Sequence, residues 1–198
     1  MTTILPGLPA LDWTNGTTRF ESLGDDALRL EATAGVDWTN DASGKEAEPQ
    51  HGATSLAFAV DGDFQLSARV RVDHPRTTFD AGALTLWADA EHWAKLCFEW
   101  SPDGAAMVVS VVTNHYSDDA NAIDVHADEV WLRISKIGPA FAFHSSSDGR
   151  QWRFVRLFRL LTDSPVRAGF LAQAPLGDGA TATFTDVRYT PETLTQLR

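Results

Sequence analysis

The sequence has one cysteine, few basic residues and no long hydrophobic run, and each shortage excludes a class of protein. The single cysteine, Cys97, excludes an internal disulfide and a cluster of thiolate metal ligands. Sixteen Lys and Arg against twenty-seven Asp and Glu give a net charge of −11. Because such a surface repels nucleic-acid phosphates and anionic lipids, we expect no nucleic-acid partner and no membrane partner.

No apolar stretch reaches the roughly 18 residues that a membrane-spanning helix needs. The start of the chain, MTTILPGLPALDW, also lacks the basic residues and the apolar stretch of a signal peptide. We therefore expect a cytoplasmic protein. With 43% hydrophobic and 22% charged residues, the composition is that of a globular protein, and we predict a single domain over residues 1–198.

Alternation of apolar and polar residues is the dominant pattern. In FQLSARVRV, residues 64–72, every second side chain is apolar, which is typical of a β-strand with one buried face. The same period occurs at 27–33, 53–60, 82–89, 93–100, 107–114, 129–137, 140–146, 152–160, 167–174 and 181–189. Turn sequences separate these segments, and only 192–197 is compatible with a terminal helical turn. The pattern predicts an all-β fold, an antiparallel two-sheet jelly-roll sandwich.

Two polar stretches, 39–52 and 115–128, are predicted to be surface loops. The second contains the densest group of potential metal ligands: His115, Asp118, Asp119 and His126. A metal site needs several converging ligands, whereas a loop rich in Asp and Asn is usually just solvated, so we predict no metal. Among metals, calcium bound by Asp118, Asp119 and Asn121 fits best.

Signatures of catalysis are scarce. Jelly-roll glucanases carry Glu-x-Asp-x-x-Glu on one strand, and this chain has no such run. Glu99 lies on a strand face beside Trp93, Lys95 and Cys97, without a second acid. A glycoside hydrolase would need another carboxylate roughly 5–9 Å from that of Glu99. A nucleophile elbow and a glycine-rich phosphate loop are also missing, and we predict no catalytic residue and no cofactor.

Six residues alternate with the apolar positions of their strands, and we predict that they share a ligand-binding groove. They are Trp87, Trp93, Lys95, Glu99, Arg133 and Gln173. An indole can stack on a sugar ring while charged and amide groups bond its hydroxyls, so we expect a saccharide or a small polyhydroxylated metabolite and at least one partly exposed indole. A bulge between Trp87 and Trp93 would reverse the face of all that follows.

Lys95 and Glu99 are about 13 Å apart along their strand, too far to pair with each other. We therefore expect each to pair with a neighbouring strand, and Arg133 and Asp89 are the obvious complements. Two other functions stay open: a glycan-active hydrolase, and a regulatory domain that binds a protein partner without a small ligand. Exposed edge strands or sheet faces also leave a homodimer open.

A string of segments in a fixed order resembles a known family. The segments are VDWTN at 36–40, DGDFQLSARVRV at 61–72, FDAGALTLWADAEHWAKLCFEW at 79–100, VVSVVTNHYSDD at 108–119, VWLRISKIGPAFAFHSSSDGRQWRFVRLF at 130–158, and VRAGFLAQAP at 166–175. Together they resemble the bacterial and fungal domains of unknown function labelled "regulation of enolase, concanavalin A-like". The resemblance covers nearly the whole chain. It implies a concanavalin A-like lectin/glucanase sandwich and no established reaction.

One departure from this family and one further resemblance are local. Such families usually carry a Trp after the Ser-Asp of the middle loop, where this chain has Asp119. The run from Ser147 to Trp152 resembles a Ser-x-Asp-Gly-x-x-Trp hairpin of carbohydrate-associated β modules. We interpret it as structural, because Asp148-Gly149 suits a tight turn and Trp152 can cover apolar surface.

Overall fold

The computed structural model describes residues 5–45 and 50–198, and the strands in this part are numbered in chain order. The first eight are β1 (Asp12–Trp13), β2 (Phe20–Gly24), β3 (Ala27–Thr33), β4 (Trp38–Thr39), β5 (Gln50–His51), β6 (Ser55–Ala59), β7 (Phe64–Val72) and β8 (Ala81–Asp89). The others are β9 (His92–Trp100), β10 (Ala106–Asn114), β11 (Tyr116–Asp124), β12 (Glu129–Ile137), β13 (Ala140–Ser146), β14 (Arg153–Phe158), β15 (Arg167–Gln173) and β16 (Gly179–Thr190).

Two seven-stranded antiparallel sheets contain all of these strands except β4 and β5, which pair with each other. The front sheet has the order β1-β6-β15-β8-β9-β10-β11. The back sheet has the order β14-β13-β12-β7-β16-β3-β2. This is the antiparallel two-sheet sandwich that the alternation predicted.

One apolar core lies between the two sheets. The front sheet contributes residues such as Leu84, Leu96 and Phe98, and the back sheet contributes Leu66 and Ile134, all fully buried. Each such side chain contributes on the order of 2 kcal/mol through loss of apolar surface from water. Because these residues occupy alternate positions, the intervening residues are directed to the outer faces.

The front sheet also carries a second buried cluster on its outer face. Its buried members are Trp38, Ala53, Ala81, Ala83, Trp93, Cys97, Met107, Val109, Val111 and Leu171. The segment around Trp38 crosses this face, and the Trp38 indole donates a hydrogen bond to the carbonyl of Ala53 at 2.7 Å. The central strands of the front sheet are therefore covered on both faces.

A β-bulge does occur between Trp87 and Asp89, next to the hairpin that joins β8 to β9. It does not move Trp93 to the other face, because Trp87 and Trp93 are direct cross-strand partners. The bulge lies between Trp87 and the turn, where the extra residue is absorbed before β9 begins.

Three local predictions need correction. The stretch 115–128 is mostly strand β11, which pairs with β10, and only its ends are irregular. Residues 192–197 form no helical turn. Instead the segment crosses the back sheet, where the carbonyl of Leu197 lies 2.9 Å from Nε2 of His144. The predicted loop 39–52 includes residues of β4 and β5, and its positions 46–49 lie outside the described residues.

In the part of the chain that the structure describes, no helix is long and apolar enough to cross a membrane.

Candidate functional site

A cleft of about 480 Å³ opens on the outer face of the front sheet, and we call it the front cleft. Strands β9, β10, β11 and β15 form its base, and the segment before β4 lies along one side. The residues that line it are Asp37, Trp38, Thr39, Gln50, Phe79, Lys95, Glu99, Pro102, Met107, Val109, Val111, Asp119, Asn121, Gln173, Pro175 and Leu176. The cleft thus combines an apolar strip from β10 with polar groups on both sides.

Lys95 is the buried centre of the polar groups. Its Nζ donates to Oδ1 of Asp37 at 2.7 Å and to Oε1 of Gln173 at 2.8 Å. The side chain of Lys95 is only 4% exposed and that of Asp37 16% exposed, so this ion pair is largely withdrawn from water. A buried ammonium needs such partners, because an isolated one is very costly.

The charged groups in the cleft shift one another's pKa values. Burial by itself lowers the pKa of Lys95, but the Asp37 carboxylate and other nearby negative groups outweigh burial and raise that pKa above its ordinary value. Burial raises the pKa of Glu99 to about 7; Lys95 opposes this rise, while Asp37 and Asp119 add to it. Glu99 is therefore partly protonated at neutral pH and able to donate or accept a hydrogen bond.

Strand β11 adds two polar side chains to the far side of the cleft. Asp119 pairs with Val111 and Asn121 with Val109, so both point to the outer face. Desolvation raises the pKa of Asp119, although the residue as a whole is exposed and water moderates that effect. The cleft therefore has three carboxyl groups around one ammonium.

Phe79 forms an exposed aromatic rim. Its φ of 68° lies in the left-handed region, which is strained for a bulky aromatic residue. Two hydrogen bonds hold it there: its N–H donates to the carbonyl of Trp100 at 2.8 Å, and Nε2 of Gln173 donates to its carbonyl at 3.0 Å. Gln173 thus joins the buried Lys95 to the aromatic rim.

The structure brings three of the six predicted groove residues into the front cleft, namely Lys95, Glu99 and Gln173. Trp87 and Trp93 lie on the same face but beside the cleft, packed against Trp38 with ring centroids 4.6 and 5.6 Å away. Trp93 is fully buried, while Trp87 stays partly exposed. The ligand-binding roles of these residues stay predictions.

The placement of Arg133 in this groove is wrong. Arg133 does face away from the core, as its alternation predicted, but β12 belongs to the back sheet and pairs with β7 and β13. Alternation indicates which face of a strand a residue occupies, but it does not indicate which sheet that strand joins. The predicted pairing partners are wrong too, since Lys95 pairs with Asp37, and Asp89 with His92 at 2.8 Å.

Asp37, Phe79, Asp119 and Asn121 line the cleft but were not among the predicted site residues. Asp37 lies in the VDWTN segment that carried the family resemblance, which is the one signal that pointed to it. The residues that alternate with Asp119 and Asn121 are themselves polar or small. This strand therefore has no apolar–polar alternation from which the sequence could reveal it.

The calcium arrangement considered for this region does not fit the strand. Asp118 and Asp119 are consecutive on β11, so their carboxyl groups diverge to opposite faces. Asp118 instead accepts a hydrogen bond from Nη2 of Arg156 at 2.7 Å. Among the described residues, no group of three or more His, Cys, Asp or Glu is arranged to hold a metal ion.

Residues 13–192 match the family described as "Protein of unknown function (DUF1349)". The chain belongs to this family. "Regulation of enolase protein 1" of Saccharomyces cerevisiae is 33% identical over 131 residues, which are 65% of this chain and 66% of the relative, slightly less than two thirds of its length. The resemblance drawn from the segments is thereby confirmed.

Solved structures share the fold. A functionally unknown protein from Saccharomyces cerevisiae matches with a TM-score of 0.81 and 25% identity, over 93% of this chain and 97% of that one. A xylan β-1,4-xylosidase from Bacillus halodurans matches with a TM-score of 0.65 and 15% identity, over 83% of this chain and 32% of the enzyme. An alginate lyase from Klebsiella pneumoniae matches with a TM-score of 0.54 and 13% identity, over 83% and 81%.

Proposed function

We propose that this protein is a non-catalytic binding module that holds a neutral saccharide, or a similar polyhydroxylated molecule, in the front cleft. The observation that carries this proposal is the set of fixed polar groups around Lys95, next to an apolar strip and an exposed aromatic ring. A sugar offers the complementary surface, because its hydroxyl groups pair with carboxylates and amides while its C–H faces pack on apolar side chains.

The charge of the cleft supports a neutral ligand. Three carboxyl groups and one ammonium leave an excess of negative charge even when Glu99 is protonated. A carboxylate or phosphate on the ligand would be repelled, whereas hydroxyl groups can donate to Asp37 and Asp119 without that cost. A neutral sugar therefore suits the front cleft better than an acidic one.

The aromatic contact in this proposal comes from Phe79 rather than from Trp87 or Trp93, which lie beside the cleft. Stacking on such a ring contributes on the order of 1 kcal/mol beyond its buried area. Two or three hydrogen bonds at about 1 kcal/mol net each bring the dissociation constant to the millimolar or high-micromolar range. The likeness of fold to part of a xylan β-1,4-xylosidase is consistent with a neutral glycan occupant.

The test is a titration with neutral xylo-, cello-, malto- and manno-oligosaccharides. The readout is the set of NMR indole N–H signals of the seven Trp in a ¹⁵N-labelled sample. We expect one series to shift the Trp38 signal, because Trp38 lines the cleft. Asp119→Asn should weaken that binding at least fivefold, whereas Asp124→Asn, the same change on the same strand outside the front cleft, should not.

The absence of any shift with all four series would contradict the saccharide proposal and favour the domain that binds a protein partner. Equal affinities for the Asp119→Asn and Asp124→Asn variants would move the binding site away from the front cleft.

One observation favours a second candidate, a glycan-active enzyme. Glu99 has a pKa of about 7 and shares its cleft with two other acids. Sites that cleave glycosidic bonds likewise combine a carboxylic acid of raised pKa with a second, ionised carboxylate. Incubation of the same oligosaccharides with the protein, analysed by mass spectrometry, distinguishes the two. Shortened products that disappear in Glu99→Gln would make the protein an enzyme.

The place of action belongs to this proposal as well. We propose the cytoplasm, because the free thiol of Cys97 is buried in the front sheet and suits a reducing compartment. Fractionation of cells that express the tagged full-length protein tests it, and recovery from the secreted fraction would contradict it.

A further inference from the structure

A second concave site lies on the outer face of the back sheet, on the opposite side of the molecule from the front cleft. It is a hollow of about 400 Å³, which we call the back hollow. Gln65 and Ser67 of β7 form its floor, and Trp131 and Trp152 stand at its sides. The turn at Asp148-Gly149 closes one end so tightly that a Cβ on Gly149 would lie 2.7 Å from Nε1 of Trp131.

Strand register sets two guanidinium groups on either side of the small Ser67. Arg133 of β12 and Arg188 of β16 are each direct partners of Ser67, from opposite sides. With about 4.8 Å between adjacent strands, their Cα atoms are about 10 Å apart. That separation leaves room for one oxyanion group between the two side chains.

Arg133 has no anionic partner in the described part of the chain. Its side chain makes no hydrogen bond or ion pair there, its Nε is buried without an acceptor, and its guanidinium lies 4.3 Å from the centre of the Trp152 ring. Burial lowers the pKa of Arg133 to about 10. A half-buried cation without an acid is costly, and it stands out in a chain with an excess of eleven negative charges.

Two acids, Asp148 and Asp186, also line the back hollow, and each has partners within the protein. Asp186 pairs with Arg69 at 3.1 Å, and Arg69 also pairs with Glu129 at 3.1 Å. Asp148 accepts hydrogen bonds from the backbone N–H groups of Arg150 and Gln151 at 2.8 Å. Arg133 and the exposed Arg188 are thus left for a ligand.

We infer that the back hollow binds a sugar-sized molecule through an oxyanion group, a carboxylate or a phosphate, held between Arg133 and Arg188. The planar guanidinium of Arg133 offers two parallel N–H donors, which suits both oxyanions. The ring of the ligand packs against Trp131 and Trp152, and its hydroxyl groups reach Ser67 and Gln65. This site is independent of the front cleft and prefers acidic ligands, whereas the front cleft prefers neutral ones.

The experiment compares glucuronate, glucose 6-phosphate and glucose at the same concentrations, with the Trp indole N–H signals as the readout. Those of Trp131 and Trp152 are assigned from Trp131→Phe and Trp152→Phe. We expect at least one of the two acidic sugars, but not glucose, to shift these two signals. Which of them binds distinguishes a carboxylate site from a phosphate site.

The variants Arg133→Gln and Arg188→Gln should each weaken that binding at least tenfold. Arg133→Lys should restore it only partly, because an ammonium lacks the paired donors. Arg71→Gln, an exposed change on the same face of β7 outside the hollow, is the matched control and should bind like the wild type.

Arg188 is exposed, so its variant remains informative if Arg133→Gln fails to fold. The inference is overturned if neither acidic sugar shifts the two signals, if glucose shifts them equally, or if Arg188→Gln binds like Arg71→Gln. None of these outcomes tests binding in the front cleft, which is measured with the Trp38 signal and the Asp119→Asn variant.

Discussion

At the scale of single residues, Glu99 makes stability depend on pH. Its folded-state pKa of about 7 lies above the ordinary value of 4.5, so the folded protein binds more protons between these values. Stability is therefore highest below pH 4.5 with respect to this group, and it falls as the pH rises through 7. Glu99→Gln removes this titration. We predict that the change in unfolding free energy caused by this substitution is more favourable at pH 8 than at pH 5 by about 2 to 3 kcal/mol.

Urea denaturation of both proteins at the two pH values measures this difference. Glu31→Gln, an acid of the back sheet in an exposed pair with Arg19, serves as control and should show no comparable change. A Glu99→Gln variant that is equally destabilised at pH 5 and pH 8 would contradict a raised pKa and would indicate an ordinary packing defect.

Lys95 holds the polar groups of the front cleft together. Lys95→Met keeps the length of the side chain but leaves Asp37 without its ion-pair partner in a largely buried place. We expect a loss of about 3 to 5 kcal/mol in unfolding free energy. Arg29→Gln removes an ion pair with Glu21 that is about half exposed, and it should cost no more than about 1 kcal/mol.

Denaturant midpoints for the two variants give the comparison. A Lys95→Met protein that is as stable as Arg29→Gln would mean that the buried ammonium contributes nothing to the fold and serves only a ligand.

At the scale of elements, β15 depends on a glycine for its place between β6 and β8. Gly169 is the partner of Ala57, and a Cβ there would lie 2.1 Å from the carbonyl oxygen of Leu56. Since the obstacle is backbone, Gly169→Ala must shift the strand that carries Gln173, and we expect a loss of more than about 2 kcal/mol. Gly62→Ala, at a turn with φ of +75° and open space around it, should cost about 1 kcal/mol.

Thermal unfolding of the two glycine variants separates a steric clash from ordinary backbone strain. If Gly169→Ala unfolds at the same temperature as Gly62→Ala, the close approach of β15 to β6 is not a constraint on the fold.

At the scale of the whole molecule, the charge on edge strand β11 bears on self-association. Strand β11, one edge of the front sheet, is nine residues long and contains Asp118, Asp119 and Asp124. Carboxylates on an edge strand oppose pairing with another such edge. A homodimer through β11 should therefore form only when the charges are screened.

We predict a monomer by sedimentation at neutral pH in about 20 mM salt, and self-association through β11 only at salt concentrations near 1 M, where the Debye length is about 3 Å. A dimer that persists unchanged at low salt would require an interface elsewhere, such as one of the outer sheet faces.

Alternation in the sequence predicted the fold class, most strand positions and the outward face of the strands in which it is clear. This was possible because burial on one face of a strand imposes a period of two on consecutive residues, as in Phe64–Val72 and His92–Trp100. It failed for β11, where both faces carry polar or small residues, and for 192–197, where packing against the back sheet replaced a local helical preference.

Which outward-facing residues meet depends on long-range strand pairing, and the sequence pattern did not predict it. Lys95 and Arg133 are equivalent in their local patterns, but the pairing of β12 with β7 puts Arg133 on the other side of the molecule. Asp37 reaches Lys95 from 58 positions away because the segment before β4 crosses the front sheet. A periodic pattern records the environment of one strand, whereas a site depends on long-range pairing between strands and loops, which no local pattern encodes.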